Sequence, residues 1–417
     1  MTYLCMLNNI KKMKKFLTLS VLAITILTSY DKEAHGSQKL KDGRWYAEFT
    51  VKNNRIPFVF EVEGSASLPA VTLINGAERV RLSGIIYKGD SVFIPIKDYD
   101  TQLKGVIQGD TIKGTFRRLF SETDPGTPFT AVYGNTPRFT PQGQSGHTIA
   151  GKWDIRFISE KHVENNVGIF DQKDDLLTGS VLTNSGDLRF LEGIIDREGF
   201  RLSAFAGLSP YLITGRFTDH DHFEGEFITA RQVTPITGVR NEKAALADPY
   251  SLTNLNSGYK SLGFKLPGID GKPVSLSDPK FKNKVVVVSI LGSWCPNCLD
   301  EMAYLSPWYK QNKDRGVEIV GLAFERKDDP AYVHKVLTNL VNKYETTYDI
   351  LFAGKLGKSA EVLPEIDQLK SYPTTIFIDK KGAISKIHTG FNGPATGLFY
   401  EEFKSDFNNL IDQLLKE

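Results

Sequence analysis

Val285-Val286-Val287-Val288-Ser289-Ile290-Leu291-Gly292-Ser293-Trp294-Cys295-Pro296-Asn297-Cys298 is the stretch that decides the fold of the C-terminal part of this chain. Seven residues, apolar but for Ser289, read as a strand covered on both faces, as in a parallel sheet. The Cys-x-x-Cys pair that follows stands where such a strand turns into a helix. A helix start presents unpaired N–H groups and a partial positive charge, which favours thiolate at the first sulfur, Cys295. The second sulfur, Cys298, lies one helical turn on and is placed to resolve a mixed disulfide. Met302, Leu305 and Trp308 continue at helical spacing, with Pro307 expected to kink the helix.

Other uses of the pair meet obstacles in the sequence. The chain has three cysteines, and the third, Cys5, lies in an apparent leader. A structural zinc site needs a second Cys pair or a His pair, and the seven histidines are scattered. Leu299 stands where c-type haem attachment needs His. Gly292 stands where a peroxiredoxin-type site has Thr. A disulfide closing so short a loop would stabilise little. The reading is a redox-active dithiol with no metal and no separate cofactor.

Around this core the chain alternates strand and helix. Ser261 to Ser277 reads as a hairpin around Asp270-Gly271, and Val317 to Phe324 and Tyr348 to Phe352 as further strands. Pro330 to Tyr344 and Ser359 to Leu369 read as helices. Thr374 to Asp379 and Ala383 to His388 form a hairpin, and a closing amphipathic helix carries Phe399, Phe403, Phe407, Leu410, Ile411 and Leu414.

Residues 40–240 differ in pattern. Short strands such as Trp45 to Val51, Arg79 to Ile86 and Val92 to Ile96 are separated by turn signals, among them Asn75-Gly76 and Asn184-Ser185-Gly186-Asp187. The region repeats: Gly43-Arg44-Trp45 matches Gly151-Lys152-Trp153, Leu82-Ser83-Gly84-Ile85-Ile86 matches Leu191-Glu192-Gly193-Ile194-Ile195, and Gly105 matches Gly215. Two copies of one meander or barrel-like β-unit follow. The resulting division is a leader at 1–36, β-copies at 40–140 and 148–240, a linker at 241–257 and an α/β domain at 258–417. The β-region has room for a small ligand or a docking partner, with a structural module as the plainer reading. Asp219-His220-Asp221-His222 falls at a hairpin tip and reads as a solvated turn rather than a metal site.

Composition sets outer limits. The 417 residues carry 51 basic and 49 acidic side chains, a balance that gives no support for nucleic-acid binding. Lys11, Lys12, Lys14 and Lys15 precede the uncharged run Phe16 to Tyr30, the pattern of an export signal. Tyr30 stands where a lipoprotein box has Cys, so cleavage without lipid is expected, or an uncleaved membrane tether.

The order of elements around Cys-x-x-Cys resembles thioredoxin. More closely, Asp270-Gly271-Lys272-Pro273-Val274-Ser275-Leu276, Lys284 to Cys298, and Ser371-Tyr372-Pro373-Thr374-Thr375-Ile376-Phe377-Ile378-Asp379 resemble the exported TlpA/ResA-like thiol–disulfide oxidoreductases. The resemblance covers residues 258–417, and Pro296-Asn297 departs from the Gly-Pro of thioredoxin. It implies Cys295 as nucleophile, Cys298 as resolving thiol, Glu301 as an active-site carboxylate and Pro373 as a cis-proline. Trp294, Tyr372 and Pro373 then face the substrate, with Tyr372 backbone groups free to pair with it as an added strand. It also implies reduction of protein disulfides in the periplasm or cell envelope, with a membrane-borne electron donor. Net disulfide oxidation or isomerisation, or an envelope ligand-binding protein with an auxiliary dithiol, are the alternatives.

Overall fold

A computed structural model describes residues 38–417 apart from Ala66 and Lys161. The leader readings, from Cys5 through Tyr30, lie outside the described residues. Among the described residues no helix is long and apolar enough to cross a membrane.

The first β-unit is a nine-stranded antiparallel sheet running from Gly43–Val51 to Thr127–Tyr133, the two strands that pair with each other. Strict alternation buries Trp45, Ala47, Phe49 and Val51 on one face. The second unit runs from Gly151–Ile158 to Val233–Arg240 and closes into an eight-stranded barrel, because Val163–Lys173 pairs with Leu176–Thr183 while the end strands pair with each other. In both units the repeated Trp plays one part. Trp45 Nε1 donates to Lys41 O at 3.0 Å and Trp153 Nε1 to Ile149 O at 2.7 Å, so each indole ties down the chain entering its first strand. The barrel interior is filled by Trp153, Phe170, Leu177, Phe200 and Phe223.

Arg79 to Ile86, read as one strand, is two. Glu78–Leu82 and Ile86–Lys88 are separated at Ser83 to Ile85, and Gly84 turns the chain with φ +77°. Its repeat partner Gly193 stays inside the strand Leu191–Asp196. Pro69, just before Ala70–Asn75, offers no N–H with which to extend that strand toward the gap.

The C-terminal unit is α/β. Its five-stranded sheet runs in the order Asp349–Lys355, Val317–Glu325, Val285–Leu291, Thr374–Ile378, Ile384–Thr389. The first three strands are parallel, Thr374–Ile378 runs antiparallel to them, and the edge strand Ile384–Thr389, antiparallel to its neighbour, returns to the first direction. Every residue of Val285–Leu291 is buried, as its apolar run predicts. Four helices surround the sheet: α1 (Pro296–Asn312), α2 (Pro330–Tyr344), α3 (Ser359–Val362) and α4 (Leu398–Lys416). α1 continues through Pro307, with Leu305, Trp308 and Tyr309 buried on either side of it. α3 is one turn, where the sequence suggested a helix to Leu369; Pro364 ends it early.

The segment read as a linker is fastened to the third unit. Asp367 N–H donates to Asn254 O at 3.0 Å, Asn256 N–H to Glu365 O at 2.8 Å and Thr389 N–H to Pro249 O at 3.0 Å. Thr253 is buried, and its hydroxyl accepts from Thr389 Oγ1 at 2.7 Å.

Candidate active site

Cys295 is the N-cap of α1, held at the end of the buried central strand by the turn Gly292 to Trp294. Its sulfur accepts the Cys298 N–H at 3.3 Å, so the first sulfur takes one of the orphan donors of the helix start. The Cys295 thiol lies 3.4 Å from the Tyr372 carbonyl oxygen, to which it donates. The Tyr372–Pro373 peptide bond is cis. Both cysteines are free thiols; Cys295 is 5% exposed and Cys298 fully buried. Burial first, then the hydrogen bond and charge of Cys295, and also Glu301, push the Cys298 thiol well above the usual range. Cys298 is therefore held protonated.

Glu301 lies inside the molecule, 1% exposed. Ser289 Oγ, from the central strand, donates to it at 2.6 Å, and Thr375 Oγ1, two residues past Pro373, donates to the other oxygen. Burial raises its carboxyl to about 7 against those two donors. A surface position is excluded. Trp294 is pinned: its Nε1 donates to Phe324 O at 2.8 Å, and its ring meets that of Tyr372 edge-on at 5.2 Å. The chain thus brings Trp294, Cys295, Cys298, Glu301, Tyr372 and Pro373 into one locale. The Asp219-His220-Asp221-His222 turn is elsewhere, at an exposed hairpin tip where Asp219 caps Asp221 N–H and pairs with His222.

Three contributors escaped the sequence reading. Glu325, fully buried at the end of its strand, accepts from Ser293 N–H at 2.9 Å and Ser293 Oγ at 2.7 Å, and so fixes the turn before the dithiol. An acid ending the apolar run Ile319 to Phe324 was its only signal. Asp300, between Cys298 and Glu301, pairs with Arg189 of the second β-unit at 2.6 Å, and burial lifts its carboxyl to about 6 against that cation. The third is the hairpin around Gly186. Asp187 Oδ2 accepts Gly393 N–H at 2.7 Å, Ser371 Oγ donates to Ser185 O at 3.3 Å, and Gly186 packs on Asn297 so closely that a Cβ there would overlap the amide. Asn184-Ser185-Gly186-Asp187 was legible as a turn; its destination was not.

The Redoxin family matches residues 256–400. The thiol-disulfide oxidoreductase ResA of Bacillus subtilis is 30% identical over 158 residues, covering 38% of this chain and 77% of that protein. The chain belongs to the ResA-like thiol–disulfide oxidoreductases, within the thioredoxin superfamily. ResA of Bacillus thuringiensis subsp. konkukian is 29% identical over 127 residues, and the match spans 66% of that relative, just under two thirds, and 30% of this chain. A solved thiol-disulfide oxidoreductase from Bacteroides fragilis aligns over 35% of this chain and 99% of its own, at 20% identity and a TM-score of 0.27. The Redoxin match falls on the C-terminal α/β unit, and the two β-units lie outside it.

Proposed function

We propose that the chain reduces disulfides of protein substrates in the cell envelope. The observation that carries this reading is the pair of unlike thiols at the start of α1: one at the helix cap, the other buried and held protonated above a buried carboxylate. As thiolate, Cys295 attacks one sulfur of a substrate disulfide and forms a mixed disulfide. The displaced substrate sulfur leaves as thiolate and takes a proton from water. Cys298 then passes its proton to the ionised Glu301 carboxylate and attacks Cys295 Sγ. The mixed disulfide breaks, the second substrate sulfur leaves as thiolate and takes a proton from water, and Cys295–Cys298 remains oxidised. Two electrons have moved to the substrate, and a membrane-borne dithiol donor restores the reduced pair. Trp294 and the Tyr372–Pro373 loop flank the reacting sulfur and orient the incoming chain. Envelope location rests on the basic, then apolar, leader.

Trapping tests the roles. Cys298→Ser accumulates mixed disulfides with substrate, and Cys295→Ser does not; equal trapping by both overturns the assignment. Direction is tested by the reduction potential of the pair. Related sites span about −270 to −120 mV, and a value near the lower end supports reduction, one near the upper end oxidation.

A further inference from the structure

Beside the dithiol a cleft of about 420 Å³ opens between the barrel of the second β-unit and Pro296 and Asn297 at the start of α1. Its size is that of a small-ligand site rather than of a protein-sized interface. One wall is the Gly186 hairpin, stitched to the active-site loops as described above. Part of the remaining lining is aromatic: Phe157 and Phe227 stack with ring centroids 5.0 Å apart, and Tyr211 meets Phe227 at 5.7 Å. These rings share the lining with Leu188 and Leu208 and with the polar side chains of His162, Glu164, Gln232 and Thr234.

One detail ties the cleft to the reacting sulfur. Pro296, in its lining, directly follows Cys295 in the chain. Asn297, also in the lining, keeps a buried side-chain oxygen with no hydrogen-bond partner.

We propose that the mouth of this barrel is a specificity subsite for the dithiol, taking a bulky apolar side chain that neighbours the reacting cysteine on an extended peptide segment. The assignment rests on the disulfide-reductase reading, to which it adds a substrate preference. The aromatic wall removes the side chain from water, and a turn of the Asn297 amide brings its unpartnered, buried oxygen to a backbone N–H of the same segment. A polar neighbour gains nothing from the rings and loses its own hydration. The C-terminal unit contributes only the Pro296–Asn297 edge, so the preference is built by the β-region.

The test uses the full chain and two peptides closed by one disulfide, with Phe or Ser beside the first cysteine, and a small aromatic disulfide as reference. The wild type is expected to reduce the Phe peptide with kcat/KM about tenfold or more above the Ser peptide, the discrimination typical of an apolar pocket. Gln232→Trp fills the cleft from an exposed rim position and is expected to erase that preference while leaving the small disulfide unaffected. Tyr211→Leu, which keeps bulk but removes the ring, checks the same loss by a second route. Equal rates for the two peptides in the wild type, or a Gln232→Trp loss shared by all three substrates, overturns the subsite. Binding of the Phe peptide with both cysteines replaced by serine is measured by calorimetry, without any redox step. Binding that Gln232→Trp abolishes, in a protein that reduces nothing, rejects the reductase reading and keeps the subsite. Turnover without such binding rejects the subsite alone.

Discussion

The two β-units descend from one repeated pattern, yet they meet the rest of the molecule in opposite ways. The second closes on itself and keeps a separate core, with Trp153, Phe200 and Phe223 inside the ring. The first is interrupted at Ser83 to Ile85, and its interior is continuous with the core of the C-terminal unit. It also receives Phe205 from the second unit, whose ring packs against Phe49, Phe58 and Phe116 at 4.8, 5.1 and 5.2 Å. Toward the C-terminal unit the first copy offers an ion pair and a ring: Lys343 pairs with Asp98 at 2.6 Å, and Arg326 lies over the Phe120 ring at 3.7 Å and over that of Trp294 at 5.7 Å. The second copy instead sends its Gly186 hairpin to the dithiol. A closed ring needs no neighbour to cover its core, so its loops are free to specialise. The interrupted copy spends its surface on being packed.

Arg189 is where the comparison breaks most easily. It pairs with Glu78 of the first copy and Asp300 of α1, and so joins all three units. Arg189→Ala leaves two largely buried carboxylates without their cation and is expected to destabilise the protein by about 3–5 kcal/mol. Asp300, already raised to about 6, should then titrate higher still. Chemical denaturation at several pH values measures both. Retained stability would mean the three units do not depend on this junction.

Glu301 is the control that touches neither copy. Its folded carboxyl titrates near 7 against an ordinary value of 4.5. A raised pKa means the folded state holds the proton that the unfolded state releases. Stability from this group is therefore full below about pH 4.5 and lost as pH rises toward 7. The shift corresponds to about 3 kcal/mol. Glu301→Gln should lack this decline, so its stability advantage over wild type grows across that window. Its turnover should also lose the pH dependence centred near 7, because no carboxylate remains to accept the Cys298 proton. An unchanged pH–rate profile would remove Glu301 from the reaction.

The finest contrast lies between two turn glycines of the matching hairpins. Gly186 has φ +139° and no room for a Cβ beside Asn297, so Gly186→Ala is expected to cost about 1–3 kcal/mol and to lower turnover several-fold by displacing the dithiol loop. Gly76 has φ +51°, and its nearest neighbour to an added Cβ is Thr178 Cγ2 at 3.7 Å. Gly76→Ala should cost about 1 kcal/mol through backbone conformation alone and leave turnover unchanged. Equal effects on turnover would show that the second hairpin has no special hold on the active site.

Much of the C-terminal unit was legible because its signals are local. The run Val285 to Leu291 announces a buried strand, and Cys295-Pro296-Asn297-Cys298 announces a helix start with two sulfurs one turn apart. The repeat of Gly-x-Trp was legible for the same reason, since each indole bonds a carbonyl four residues back. Opening one ring was a different matter. Gly84 and Gly193 occupy matching positions, and only the strands around them decide which turns and which extends.

The amino-acid order by itself therefore determined the β-repeat, the α/β unit and the place of the two thiols, since periodicity and short spacings act within a few residues. Tertiary structure alone decided that Glu301 is buried, that Glu325 grips Ser293, that Arg189 meets Asp300 and that Gly186 lies on Asn297. Each of these joins residues that chain periodicity leaves unconnected. Which carboxylate is buried, and which loop covers a sulfur, is fixed only when whole sheets pack and water is excluded between them.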